Sequence, residues 1–342
     1  MQKIDPEFIS LSRRIGENPL FIQGAGGNTS LKTGTDRMWV KASGKWLAQA
    51  EAGEVFVPVN RTRINEQIRA GIEDPLSGAS YSDDVLGLRP SIETTLHSLM
   101  PHAVVFHTHS INTIVHAVQK KAENILVEKL KGFDWAFVPY SKPGLPLTRL
   151  VAGVLSKRTC NILVIQNHGL VVGGETVQET LALMLELEAR LMTTARPVKN
   201  ACFPTLNQLC SGTGFVAAEC NLTHQLALDP HGFEYARMGS LYPDHVVFLG
   251  KSVAAVDTKD ELTAFFETSS EDPLWPKAVA LRSAGVFHDK SLSAGGQEML
   301  RALANTVIRL PLSASLNYLT AEEERELVDW DAEKYRQALT GL

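Results

Sequence analysis

The sequence predicts an α/β fold, with one large sheet-based domain followed by a smaller domain of mixed α/β character. Three observations lead there. Short apolar runs of strand length, such as Ala103 to Phe106 and Ile162 to Ile165, alternate with longer stretches whose apolar residues recur at helical spacing. A chain of 342 residues with 44 % hydrophobic content can bury one large core and a second, smaller one. Beyond Arg196-Pro197-Val198-Lys199-Asn200, which reads as a connector, the chain changes character.

In chain order, the first helix is expected over Pro6 to Glu17, ending near Asn18-Pro19 because proline disfavours helix in the residue before it. Phe21 to Asp36 reads as two short strands around the glycine-rich stretch Gly24 to Ser30. Met38 to Ala42 reads as a third strand before Ser43-Gly44, and Val55 to Asn60 as another. Ser91 to Met100 places Ile92, Leu96 and Leu99 on one helical face, with Ser91 as its N-cap. Ala103 to His107 and Asn161 to Gln166 read as strands, Leu147 to Leu155 and Gln178 to Thr194 as helices, the last closing the first domain.

Past the connector, His245 to Gly250 and Val253 to Asp257 read as strands, Asp260 to Glu267 as a helix, Ala278 to Phe287 as a buried strand and Ser293 to Ile308 as a helix. A final acidic helix begins after Thr320, whose hydroxyl can cap it while Glu323 occupies the capping-box position. The expected division is a first domain over residues 1–200 and an accessory α/β region over 201–342.

Charge and composition narrow the function. A formal net charge of −5 without a dense Lys/Arg tract argues against nucleic acid or an anionic membrane as the main partner. No apolar stretch approaches bilayer-spanning length, and the N-terminal residues lack the pattern of a secretory signal, so a cytoplasmic location is expected. The four cysteines, Cys160, Cys202, Cys210 and Cys220, form no Cys-x-x-Cys pair and read as reduced thiols.

The chemistry concentrates on histidine. His107 and His109 flank Thr108 at the end of an apolar run, and alternate side chains of an extended strand share one side, so both imidazoles can reach one ion. His168 follows a second apolar run and supplies a third imidazole. Zinc in catalytic sites typically keeps three protein ligands and one open position, and open α/β sheets keep their sites at strand ends. Most histidines are packed or solvated, and of the ten here His97, His102 and His116 read as packing or incidental residues, while those beyond residue 200 show no ligand spacing. Glu93 could reach a strand-end ion, although a glutamate early in a helix ordinarily serves the helix dipole. Lys32, Lys41 and Lys45 read as solvated charges at strand edges, and the glycine-rich stretch taken alone reads as a hairpin turn.

Five short motifs in order, Gly26-Gly27-Asn28-Thr29-Ser30, Lys41-Ala42-Ser43-Gly44, Pro90-Ser91-Ile92-Glu93, His107-Thr108-His109 and Asn167-His168-Gly169, together resemble the class II aldolase/adducin family across about residues 5 to 200. The resemblance implies a three-layer α/β/α sheet domain, a homo-oligomer with a tetramer favoured, and active sites near subunit contacts. It implies that His107, His109 and His168 hold a divalent ion, zinc ahead of manganese or cobalt. That ion would polarise a substrate carbonyl and stabilise an enediolate. Glu93 would transfer a proton at the carbon beside that carbonyl. Gly27, Asn28, Ser30, Ser43, Gly44 and Ser91 would receive a substrate phosphate, because glycines let backbone N–H groups converge on an anion and hydroxyls add donors.

The expected activity is therefore metal-dependent retro-aldol cleavage of a C–C bond in a phosphorylated sugar or sugar acid. Decarboxylation of a 3-oxo sugar-acid phosphate and a non-catalytic adducin-like binding module are the competing readings. Two departures from the family bear on the choice. The second proton donor expected of aldolases is a tyrosine, and Glu123 to Trp135 contains none, which leaves Tyr140, Tyr235 or Tyr242. Glu93 stands where the epimerase branch is expected to have aspartate. Segments after residue 200 resemble long-chain family members, including aldolase portions of aldolase–dehydrogenase fusions. Gly212-Thr213-Gly214 and Gly295-Gly296 lack the strand-turn-helix context and acidic partner of a dinucleotide site, so no NAD binding is expected.

Overall fold

The structure, a computed structural model, describes residues 4–52, 54–81 and 87–328. The chain divides into two compact units, residues 1–117 with 121–192, and residues 118–120 with 193–342.

The first unit runs α1 (Pro6–Gly16), β1 (Asn28–Thr33), β2 (Arg37–Lys41), β3 (Phe56–Asn60), α2 (Arg61–Arg69), α3 (Thr94–Leu99), β4 (Val104–Thr108), α4 (Ile111–Ala117), α5 (Ala122–Lys129), β5 (Trp135–Val138), α6 (Leu145–Leu155), β6 (Ile162–Ile165), β7 (Gly169–Gly174) and α7 (Val177–Leu191). Seven strands form one sheet in the order β3-β2-β1-β4-β7-β6-β5. Only the β5–β6 pair is parallel. β4 lies in the middle, antiparallel to both β1 and β7, with Asn28 and Val171 directly opposite His107.

Helices cover both faces, giving three layers. On one face α1, α5 and α7 bury Phe8, Leu11, Ile15, Leu126, Met184 and Leu187 against Val104 and Phe106 of β4. On the other, Leu96 of α3 and Leu147 and Val151 of α6 pack on Val105 and Val171. Ile64 of α2 joins Met38, Val40, Val57 and Val59 in a third cluster. Replacing a fully buried core leucine such as Leu187 by Ala would cost roughly 2–5 kcal/mol. Strand alternation puts His107 on the same side as Val105.

Local sequence explains where the helices begin. Asp5 accepts from Glu7 N ahead of Pro6, and Thr176 accepts from Glu179 N ahead of α7, so orphan N–H groups are met at both starts. α3 starts later than its apolar spacing suggests. Ser43 N donates to Arg89 O and Ser91 N to Lys41 O, which holds residues 89–91 extended beside the end of β2, so helix cannot begin before Thr94. Glu93 consequently sits at the N-cap, with φ −91° and ψ 4°.

The glycine-rich stretch also differs from expectation. It is a loop leading into β1, and the hairpin turn lies at residues 34–36 between β1 and β2. β5 and β7 carry little sequence signal: β5 is only four residues long, and β7 is half glycine and buried on both faces, so no alternation marks it.

The second unit contains α8 (Phe203–Leu209), β8 (Phe215–Ala217), α9 (Gln225–Leu228), α10 (Pro230–Arg237), α11 (Pro243–Leu249), β9 (Ala254–Val256), α12 (Lys259–Glu267), β10 (Ala278–Leu281), β11 (Gly285–Asp289), α13 (Ala294–Val307) and α14 (Ala321–Val328). Its sheet has the order β8-β11-β10-β9, and Leu206, Phe215, Leu262, Val279 and Phe287 pack together on it. Thr258 and Glu261 form a capping box at α12, and Thr320 and Glu323 bond reciprocally at the start of α14 as the sequence suggests.

Two expectations fail here. His245 to Gly250 is helical rather than extended: an unbroken apolar run suits either state, and Pro243 at the first turn with Gly250 at φ 75° supplies a helix start and stop. Ala278 to Phe287 is a hairpin of β10 and β11 rather than one strand, turning at Ser283 with φ 60°. Residues 329–342 of the accessory region lie outside the described residues. No helix among the described residues is long and apolar enough to cross a membrane.

Candidate metal centre

Four ligand-type side chains converge at the end of β4. Glu93, His107, His109 and His168 are all buried, and one donor atom from each lies within 4.8 Å of every other. The imidazole centroids form a nearly equilateral triangle, with sides of 4.9, 5.0 and 5.0 Å.

Each residue arrives by a different device. His107 is held in the β4 ladder, and its Nδ1 lies 3.1 Å from Leu170 O. That carbonyl can only accept, so Nδ1 carries a hydrogen, and Nε2 lies 3.3 Å from Glu93 Oε1. His109 falls just beyond the last residue of β4, and its carbonyl accepts from Gln23 Nε2 at 3.3 Å.

His168 occupies the tight turn between β6 and β7, where Asn167 takes φ 53°, a left-handed conformation that asparagine tolerates better than most residues. His168 Nε2 lies 3.2 Å from the same Glu93 oxygen. Gly169 follows because a Cβ there would collide with Thr108 O and stand 3.3 Å from His109 Cα. Gly27 meets a similar constraint: its φ is 60°, and a Cβ would strike the Ile22 side chain and lie 2.8 Å from His107 O.

A second layer holds Glu93. Asn28 Nδ2 donates to Glu93 Oε2 at 2.6 Å, and Glu93 N donates to Ser91 Oγ at 3.3 Å. Burial by itself would raise the Glu93 carboxyl, but charge on His107 and His168, with their hydrogen bonds, outweighs it and holds the group well below the usual carboxylate range. Three imidazoles and one carboxylate with donor atoms this close together could hold one divalent metal ion. The residues present fit such an ion.

The residues expected to receive phosphate are distributed around this cluster. Gly27 and Asn28 lead into β1, while Ser43 and Gly44 lie beside the extended segment that carries Ser91. Ser30 is fully buried, and its hydroxyl pairs with His97 Nδ1 at 2.8 Å, so it is engaged inside the fold. His97 thereby has the packing and hydrogen-bonding place its sequence suggests. Burial, with a smaller contribution from His107, pushes its pKa down to about 3.

Two lysines depart from expectation. Lys41 is 2 % exposed, and its ammonium donates to Ala25 O and Lys45 O, joining the glycine loop to the Ser43-Gly44 turn. Lys32 donates to Met100 O at 2.6 Å and to His102 O, and burial followed by the charge of Arg61 lowers it to about 7. Neither is a solvated edge charge. The backbone carbonyls that accept from them leave no mark in sequence.

Of the tyrosines expected as alternatives for proton donation, Tyr235 donates its hydroxyl to Pro311 O and Leu312 O. Tyr242 is buried beside Asp244 and titrates far above its usual range, mainly through burial. Tyr140 lies two residues past the end of β5 and is half-buried. The four cysteines are free.

The family model of the class II aldolase and adducin N-terminal domain matches residues 7–194. An uncharacterized oxidoreductase of Bacillus subtilis (strain 168), YuxG, is 32 % identical over 200 residues, which cover 53 % of this chain and 29 % of that protein. The chain thus spans less than a third of that relative's length. Among solved structures, the N-terminal class II aldolase domain of a conserved protein from Thermoplasma acidophilum is 24 % identical with a TM-score of 0.47, covering 56 % of this chain and 94 % of its own. The L-fuculose-1-phosphate aldolase of Thermus thermophilus is 16 % identical with a TM-score of 0.38, covering 55 % and 93 %.

An α/β/α sheet domain with a buried Glu/His3 cluster at the end of its central strand defines the class. The chain belongs to the class II aldolase/adducin family, whose aldolases are metal-dependent and which also holds non-catalytic adducin-like members.

Proposed function

We propose that this protein is a divalent-metal-dependent lyase that cleaves a C–C bond of a phosphorylated sugar or sugar acid by retro-aldol chemistry. The convergence of Glu93, His107, His109 and His168 carries the reading, because a purely structural scaffold gains nothing from four buried ligand groups aimed at one point. In this reading residues 1–200 form the catalytic domain and 201–342 an accessory region. Zinc as the ion, a homotetramer and a cytoplasmic location belong to the same proposal and rest on the family resemblance.

His107, His109 and His168 would hold the ion, with the Glu93 carboxylate beside them. The bound ion supplies polarisation of the substrate carbonyl and stabilisation of the negative charge that develops on its oxygen. Glu93 then moves the proton at the carbon beside that carbonyl. Asn28 keeps the Glu93 carboxylate directed by holding Oε2 and leaving Oε1 toward the ligand cluster. Gly27, Asn28, Ser43, Gly44 and Ser91 receive the phosphate, while the Ser30 hydroxyl is engaged with His97. Burial of the four ligands excludes bulk water from the reacting centre, which strengthens every charge interaction there.

A screen of phosphorylated ketoses and keto acids with added zinc, manganese or cobalt tests the reading, with aldehyde and carbon dioxide both followed. Aldehyde release that Glu93→Gln abolishes while metal stays bound supports retro-aldol cleavage. Carbon dioxide without aldehyde moves the assignment to decarboxylation, and neither product from metal-loaded protein moves it to a binding module.

A further inference from the structure

We propose that Glu188 of α7, which is outside the ligand set, is a positioning residue for the metal centre: it locks the start of α4 against α7 and thereby fixes the direction of His109. This role rests on the metal-centre reading of the four ligands and adds a residue to it.

The three imidazoles are placed by different local structures. His107 lies inside the β4 ladder with its Nδ1 bonded to Leu170 O, and His168 is set by a two-strand turn with Asn167 in a left-handed conformation. His109 directly follows Thr108, the last residue of β4. The chain passes from His109 directly into the first turn of α4, and the direction of that turn sets the direction of the imidazole.

Glu188 grips that turn. It is 6 % exposed, its Oε2 accepts from Asn112 Nδ2 at 2.9 Å, and its carboxylate also hydrogen-bonds the Ser110 side chain. Ser110 in turn accepts from Thr113 N at 3.1 Å, capping α4 directly after His109. The far end of the helix is tied as well: His116 Nε2 donates to Leu191 O, the last residue of α7, at 2.9 Å. Ala117 O then accepts from Asn167 N at 3.4 Å, on the turn that carries His168.

α4 is thus docked on α7 at both ends, with one ligand ahead of its first residue and the turn bearing another at its last. A leucine or methionine at position 188 could pack the two helices together. The Glu188 carboxylate, with two acceptor oxygens, receives both Ser110 and Asn112 and so specifies one direction for the segment. Partners of this kind commonly govern how tightly a metal is held without touching it.

The test uses the full chain, freed of metal with a chelator and titrated with cobalt, whose visible absorption reports both affinity and coordination geometry. Glu188→Ala is expected to weaken cobalt binding roughly 10- to 100-fold and to alter the absorption of the saturated site. A merely structural role would lower the melting temperature of the metal-free chain while leaving the dissociation constant and spectrum of the folded protein unchanged. That result overturns the inference and leaves the metal centre standing. Wild-type protein that takes up no ion overturns the centre and the inference together. Should Glu188→Ala fail to fold, Glu188→Gln carries the same test, with a loss of affinity below about threefold counting against it.

Discussion

Asn28 and Glu93, sixty-five positions apart in sequence, meet through a 2.6 Å hydrogen bond from the Asn28 amide to Glu93 Oε2. The bond joins the first residue of β1 to the N-cap of α3. It divides the carboxylate into one anchored oxygen and one directed at His107 and His168.

Asn28→Ala should therefore cost turnover. A hydrogen bond to a charged group contributes about 1.5–3 kcal/mol, so kcat should fall roughly 10- to 100-fold while bound metal stays the same. Steady-state kinetics alongside metal analysis checks this, and an unchanged kcat would show that Glu93 needs no such anchor.

Gly169 separates the His168 turn from the end of β4 with no room for a methyl group. Gly169→Ala is expected to destabilise the fold by about 1–3 kcal/mol and to weaken ion binding, since relief of the collision must shift Thr108, His109 or His168. Gly153→Ala, on α6 where an added Cβ meets nothing within 4 Å, is the control and should be neutral or stabilising by up to about 1 kcal/mol. Equal denaturation midpoints for the two variants would contradict the steric account.

The legibility of this site was uneven for physical reasons. Period-two spacing and apolar flanks made His107, His109 and His168 readable, because a strand end fixes side-chain direction locally. The glycine-rich and Lys41-Ala42-Ser43-Gly44 motifs were readable as signatures, but not their geometry. Lys41 looks like a surface charge until the Ala25 and Lys45 carbonyls are placed around it. Glu188 carries no sequence signal, because its meaning depends on α4 packing against α7. In the second unit, His245 to Gly250 could be read either way, and the decision lay in Pro243 and Gly250 at its borders rather than in the apolar run.

His97 predicts a direction for acid sensitivity in the metal-free chain. Burial keeps it neutral when folded, with a pKa near 3, whereas the unfolded chain binds the proton near pH 6.5. A histidine with a depressed folded pKa contributes stability that is complete above the unfolded value. That stability is lost as pH falls toward the folded one, at up to about 1.4 kcal/mol per pH unit. Urea midpoints in chelator at about pH 7.5 and about pH 5 should differ less for His97→Gln than for wild type. Identical differences would assign the acid sensitivity elsewhere.

Ser43 tests the anion pocket. Ser43→Ala should raise KM for a phosphorylated substrate roughly 10-fold or more, the value of a hydrogen bond to a charged group, and barely affect its dephosphorylated analogue. Equal effects on both would argue against a phosphate at that turn.

The central claim is that three imidazoles and one carboxylate hold one ion, and metal content measures it most directly. Purified wild-type protein dialysed against zinc should retain about one ion per chain, and His107→Ala, folded by circular dichroism, should retain almost none. Wild-type protein that retains no divalent ion, or a His107→Ala variant that retains as much as wild type, would contradict the account.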